Sequence, residues 1–307
     1  MFAYIAKRLA IAVPTLLVLI IFSFLLMHAA PGGPFTQERA LPPQILANLE
    51  AKYGLDQPLW RQMANYIWGL VSAFDFGPSF VYKDRTVNEI IAQGFPVTLT
   101  YGGISFIVAV TVGVTLGVFA AIYHNSWLDY LAVGISIGAQ VLPNFVMAPI
   151  LVLTFTLWLR WLPGGGWEGG QWQYLIMPVI ALSTSFMASI ARITRSSMLE
   201  VLNSNHIRTA RAKGLPERKV ILRHALKPAL LPVISYLGPT FVTMITGSVV
   251  VDIYFSTGGI GKAFVDSALN RDYAVMMGVT ILVGTLTVLF NLLVDIIYAW
   301  IDPKIRY

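Results

Sequence analysis

Residues 97–122 read "VTLTYGGISFIVAVTVGVTLGVFAAI", a run of 26 residues without one charged side chain. A helix rises about 1.5 Å per residue, so about 20 apolar residues cross a hydrocarbon core of about 30 Å. By length and composition alone this stretch is a membrane span. Working outward from it, five more windows qualify, near residues 9–29, 130–159, 174–194, 229–251 and 275–298. Inside the six windows only Arg192 and Asp295 are charged, each near an end. The third is longer than needed and holds Pro143 and Pro149, so a tilted or kinked helix is expected there. The whole chain agrees: 56% of its 307 residues are hydrophobic and 12% charged, too little polar surface to clothe a water-soluble globule of this size. The expected fold is an all-α, polytopic membrane protein with six transmembrane helices.

The beginning of the chain needs a separate reading, because a basic start followed by an apolar run can be a signal peptide. The uncharged stretch Leu9–Met27 exceeds the usual length of such a region, and Pro31 and Pro34 suit a turn better than a cleavage site. A retained helix is expected over 1–29, followed by an outer loop over 30–96, a core of five helices over 97–301 and a tail over 302–307. Within the outer loop, Leu46, Leu49 and Tyr53, then Leu59, Met63, Ile67 and Leu70, recur at helical spacing and predict two short amphipathic helices.

An even number of spans puts both termini on one side, and lysine and arginine decide which. That side carries Lys7, Arg8, nine basic residues in 192–227, Lys304 and Arg306, whereas the short loops opposite carry Arg160, Lys262 and Arg271. The bias places both termini and the basic loop in the cytoplasm. It also accounts for a net charge of +6 without nucleic acid as a partner. With no cysteine, thiolate metal sites and cysteine nucleophiles are excluded.

Catalytic motifs fail on inspection. "STGGIGKAF" (256–264) looks like a nucleotide loop, but Ala263 stands where a magnesium-binding hydroxyl is required. An outward turn after the fifth span is expected instead. "GGGWEGG" (164–170) reads as a turn, and the four histidines form no metal-ligand pair. Asp252 and Asp295 sit near span ends and read as interfacial caps or helix-contact partners ahead of a proton relay.

The remaining oddity is "RTARAKGLPERKVILRHALKP" (208–228), seven basic side chains against one acid between two apolar runs. The fourth span continues through Arg192 and Arg195 to about Leu202, where "NSN" (203–205) breaks it. A short helix fits His206–Lys213, with Ile207, Ala210 and Ala212 as its small or apolar groups, ended by Gly214 in the left-handed region. Pro216 starts a second helix that stops before Pro228. Two readings compete: a basic segment held by anionic lipid, and a docking elbow for a cytoplasmic partner. A defined bend at Gly214 favours docking, since lipid binding requires none.

"HIRTARAKGLPERKVILRHALKPALLP" resembles the EAA loop of ABC-importer permeases, and the likeness extends along the chain. "APGGPFTQERALPP" (30–43), "DFGPSFVYKD" (75–84), "LPGGGW" (162–167), "SIARITRSSMLEVL" (189–202), "ALNRDY" (268–273) and "DPKIRY" (302–307) are similar to the B-type permeases of bacterial oligopeptide importers. Arg208 and Thr209 replace the usual Glu and first Ala, which is the form found in peptide and nickel permeases. "STGGIG" departs from the usual Leu-Pro before Gly-Ile-Gly. The resemblance implies a type I ABC-importer permease fold and a bacterial inner-membrane location. It also implies oligopeptide import, with dipeptides or nickel as the alternative cargo. The implied partners are a homologous permease, two ABC ATPase subunits that use ATP and magnesium, and an extracytoplasmic peptide-binding protein; this chain itself would hold no cofactor. In this family the loop seats in the ATPase, which maps docking onto His206, Ile207, Arg208, Thr209, Ala210, Arg211, Ala212, Lys213, Gly214 and Leu215.

A peptide with charged ends needs a wet path. Polar candidates are Gln140 and Asn144 on span three, Ser183 and Ser185 on span four, and Thr240, Thr243 and Gly247 on span five, the last three on one helix face. Helix packing explains the same residue types, and that alternative stays open. A stand-alone ion-coupled secondary transporter is the rival class. It would show inverted repeats, broken midplane helices and a central acid.

Overall fold

The structure, a computed structural model, describes residues 2–29, 35, 42–246 and 249–301. Gly247, the tail 302–307 and most of 30–41 lie outside the described residues, as does the side chain of Asp295. Among the described residues the chain is almost wholly helical, with one isolated β-bridge between Pro78 and Thr86. Among those residues, five helical stretches are long and apolar enough to cross a bilayer: Ala10–Ala29, Val87–Ile122, Trp172–Leu202, Leu231–Tyr254 and Tyr273–Val294.

The third expected span is the exception. It forms two helices, α5 (Trp127–Val141) and α6 (Asn144–Leu151, continued by a wide π-helical stretch Val152–Trp158), bent by 101°. This is a break rather than the expected tilt or kink. The residue before a proline is pushed out of the helical region, and Leu142 accordingly lies at φ −81°, ψ 108° with Pro143 extended after it. Downstream, Pro149 has no N–H to give the preceding turn, and the ladder resumes with wider i→i+5 spacing.

The chain divides into two compact units. One comprises Phe2–Val97 with Gly258–Val288, so residues 258–288 group with the N-terminal region rather than with the rest of the expected 97–301 core. It holds α1 (Phe2–Ala29) and the two expected amphipathic helices, α2 (Pro43–Tyr53) and α3 (Leu59–Ala73). Ile20, Leu70 and Ile281 form one buried cluster there, and Phe24, Met27 and Met277 another. Buried Asp272 ties this unit together: it accepts from the Ser79 hydroxyl (2.5 Å), the Phe80 amide (3.2 Å) and the Val275 amide (3.3 Å).

α4 (Val87–Ile122) begins ten residues before the expected span. A reciprocal cap explains the early start: the Glu89 amide donates to Thr86 Oγ1 and the Thr86 amide to Glu89 Oε2.

The other unit comprises Thr98–Thr257 with the chain from Leu289 onward. Its scaffold is close packing on α7 (Trp172–Leu202). Gly113 and Gly117 of α4 form a G-x-x-x-G stripe against it; a Cβ on Gly117 would lie 2.5 Å from the Ala191 carbonyl oxygen, so only glycine permits this approach. Asp252, on the short helix Val249–Tyr254, is fully buried and accepts from the Tyr101 hydroxyl at 2.9 Å and from the Thr257 hydroxyl. It joins helix to helix, as a contact partner.

Candidate functional site

The basic loop folds as an elbow on the end of α7. That helix stops at Leu202 with Asn203 as its cap, whose amide side chain donates to the Leu199 carbonyl. Ser204 Oγ donates to the Val201 carbonyl (2.6 Å) and lies 2.9 Å from His206 Nδ1. Then comes α8 (Asn205–Ala212), a helix too short to persist in water by itself. Two side chains hold it down. Ile207 is wholly buried and Ala210 nearly so, packed with Ala121, Met198, Val220, Ala225 and Ala229. Burying a side chain the size of Ile207 contributes about 1.5–3 kcal/mol.

The bend follows the glycine pattern read from sequence. The Leu215 amide donates to the Ala210 carbonyl and the Gly214 amide to the Arg211 carbonyl, the paired bonds of a Schellman turn. Gly214 sits at φ +74°, and a Cβ there would meet nothing within 4 Å. Glycine is therefore required by backbone conformation and not by crowding. Across the bend, Arg211 donates through Nε and Nη2 to both oxygens of Glu217, at 3.2 and 2.6 Å. That hydrogen bond holds the Glu217 carboxyl below its usual range and the Arg211 guanidinium above its own.

Two features of the elbow depart from expectation. Pro216 stands at the cap position before α9 (Glu217–Lys219) instead of at its first turn. The helical path also does not stop before Pro228. It widens into π-helical Val220–Ala225 and continues through α10 (Leu226–Ala229), which contains that proline. A proline without an N–H leaves the His224 carbonyl without its usual partner, and the wider turn accommodates the loss.

Of the ten residues expected to dock, Ile207 and Ala210 face the protein's own core and Leu215 is half-buried. His206, Arg208, Thr209, Arg211, Ala212, Lys213 and Gly214 are exposed and form one outward surface. Thr209 Oγ1 donates back to the Asn205 carbonyl.

The path candidates separate in the same way. Ser183 and Thr240 are buried in this chain, each bonded to a carbonyl of its own helix, Ile180 and Tyr236 respectively. Gln140 and Thr243 are exposed. Asn144, the first residue after the break, accepts from the Ser185 hydroxyl at 3.4 Å. Asn144 and Ser185 therefore meet at the 101° bend, and Gln140 lies in the last turn of α5 before it.

One ion-pair site escaped the sequence reading because both partners lie just outside the apolar windows. Arg195 of α7 grips buried Asp129 of α5 through Nε (2.6 Å) and Nη2 (2.8 Å). The Asn125 amide donates to the same carboxylate, and His124 Nδ1 lies 3.1 Å from it. The signal was present in "SWLD" (126–129), a cap followed three residues later by an acid, where the Asp129 amide meets Ser126 Oγ.

Residues 113–307 match the family described as the binding-protein-dependent transport system inner membrane component, and residues 1–102 match its N-terminal partner family. This chain belongs to that permease family. The permease is 56% identical, over the full length of both chains, to the oligopeptide transport system permease protein OppB of Haemophilus influenzae. It is 55% identical, again over the full length of both, to the OppB of Escherichia coli K12. The dipeptide transport system permease protein DppB of Bacillus subtilis is 40% identical over 99% of this chain and 97% of its own. Among solved structures, the permease fold resembles the inward-facing MetNI methionine ABC transporter. The TM-score is 0.60 at 17% identity, covering 70% of this chain and 97% of that one. The permease is thus a multi-pass inner-membrane protein with an ABC-importer permease fold.

Proposed function

We propose that this permease carries oligopeptides across the inner membrane, paired with a homologous permease and driven by cytoplasmic ABC ATPases that use ATP and magnesium. An extracytoplasmic peptide-binding protein delivers the cargo. The full-length 56% identity to a permease named for oligopeptide transport carries the reading. The 40% identity to a dipeptide permease keeps dipeptides as the second cargo class. In this reading both termini and the elbow lie in the cytoplasm, as the lysine and arginine bias argues. The outward surface from His206 to Gly214 seats on the ATPase. Ile207 and Ala210 transmit its movement to the rest of the unit, because they are packed against Met198 of α7. Movement of a packed rigid element between two arrangements is how such coupling travels.

The test is to purify the assembled complex through a tag on this chain and add peptides of graded length with the binding protein. Co-purification of an ATPase whose hydrolysis rises with peptides longer than two residues is the expected result. Hydrolysis stimulated by dipeptides alone would transfer the permease to the second class. Accumulation of peptide by this chain alone in vesicles would overturn the coupled mechanism.

A further inference from the structure

A cavity of about 200 Å³ opens within the Thr98–Thr257 unit where α4, α5 and α7 meet. Its walls are small or aliphatic, with Gly117 and Ala120 from α4, Ala132 and Val133 from α5, and Ala191 from α7. The alanines Ala120, Ala132 and Ala191 line the space, while Gly117 lets α4 and α7 close one side of it. Two arginines, Arg192 and Arg195 of α7, also line it. These two charges are not equivalent. Arg195 is already neutralised by its two-pronged contact with Asp129. Arg192 is exposed, and no acid or hydrogen-bond acceptor engages it among the described residues.

The surroundings set the depth. Tyr123, Trp127 and Tyr130, all exposed, lie at the end of α4 and in the first turn of α5, next to the cavity in the chain. Exposed tyrosine and tryptophan at the ends of spans mark the headgroup level of a bilayer. An apolar void that reaches this level and carries one uncompensated arginine matches a molecule with a hydrocarbon tail and an anionic head. Guanidinium pairs two-pronged with phosphate, and basic pockets between spans hold anionic headgroups.

We propose that this cavity binds an anionic phospholipid from the leaflet on the elbow's side. An acyl chain would lie against Ala120, Ala132 and Val133, and the phosphate on Arg192. The bound lipid would fill the space between α5 and α7 beside the Asp129–Arg195 pair. The inference needs only the membrane placement of the helices, and is independent of the cargo.

The test uses the assembled complex, purified in detergent and stripped of lipid. It is then offered phosphatidylglycerol or phosphatidylcholine with the same acyl chains, and retained lipid is counted by native mass spectrometry. Phosphatidylglycerol should be retained about five-fold over phosphatidylcholine, the scale of one basic residue near an anionic headgroup. Arg192→Gln should erase that preference while Arg160→Gln keeps it, and Ala132→Phe should reduce retention of both lipids by filling the void. Equal retention of the two lipids, no retention at all, or a preference untouched by Arg192→Gln would overturn the proposal. Displacement of the lipid by inorganic phosphate would do the same, by assigning Arg192 to a soluble anion. Loss of peptide-stimulated hydrolysis with lipid retention intact would sink the transport reading and leave this one standing.

Discussion

At the scale of single residues, Gly214 is the sharpest case, because the structure separates two reasons for a glycine. No neighbour crowds it, yet its φ of +74° disfavours any side chain. An L-residue in this region costs about 1–2 kcal/mol, and asparagine tolerates it best. Gly214→Val should therefore reach the membrane normally but leave roughly 5–30-fold fewer elbows in the docking shape, with peptide uptake falling in step. Gly214→Asn should recover most of the uptake. Equal uptake by the valine variant and the wild type would show that the bend is dispensable. Beside it, the Arg211–Glu217 pair is a surface contact of modest worth. Its acid has a lowered pKa when folded, so its contribution is complete above the ordinary glutamate range and is lost as pH falls through the lowered value. An NMR titration of Glu217 should give a midpoint below that of a free glutamate, and Arg211→Gln should return it to the ordinary range. The presence of Gly214 was legible in sequence, since helix ends favour glycine there. The pairing of Arg211 with Glu217 was not, because it depends on how the bend folds back.

At the scale of elements, α5 and α7 are pinned by one buried carboxylate. Removing one partner of a buried ion pair leaves a charge uncompensated, which costs about 3–5 kcal/mol, whereas replacing both with apolar groups is often neutral. Asp129→Asn should lower the stability of the purified protein in detergent by about 3 kcal/mol, at the low end because Arg195 is partly exposed. The double variant Asp129→Leu with Arg195→Met should recover most of that loss in the same denaturation assay. No recovery would mean the pair is not what joins the two helices. The sequence windows stopped at residue 130 and at residue 194, one residue short of each partner. Hydropathy locates apolar interiors, and charges that pair at span ends fall outside them by construction. The 101° break has a similar origin. Pro143 was visible, but a proline kinks, breaks or merely bends a helix according to what packs around it.

At the scale of the whole molecule, the path for cargo is the feature that the sequence could only nominate. Thr240 and Thr243 stand three residues apart on one helix face, yet one is buried and the other exposed in this chain. In the assembled transporter, Thr243→Cys should react with a hydrophilic thiol reagent while Thr240→Cys stays protected. Protection of both would assign this face to helix packing, and reaction of both would mean that the buried position opens during transport. The number and placement of apolar runs, the charge bias between loops and the glycine-ended elbow follow from the residues themselves. Each rests on local chemistry: what a bilayer excludes, where lysine and arginine are retained, which residue adopts a positive φ. Tertiary structure alone decided which elbow side chains face outward, which hydroxyls are buried, and that Asp129 finds Arg195 sixty-six positions away. Those outcomes depend on helix rotation and close packing between distant segments, such as the glycine approach of α4 to α7. No local pattern encodes them, because burial belongs to a pair of surfaces and not to one of them.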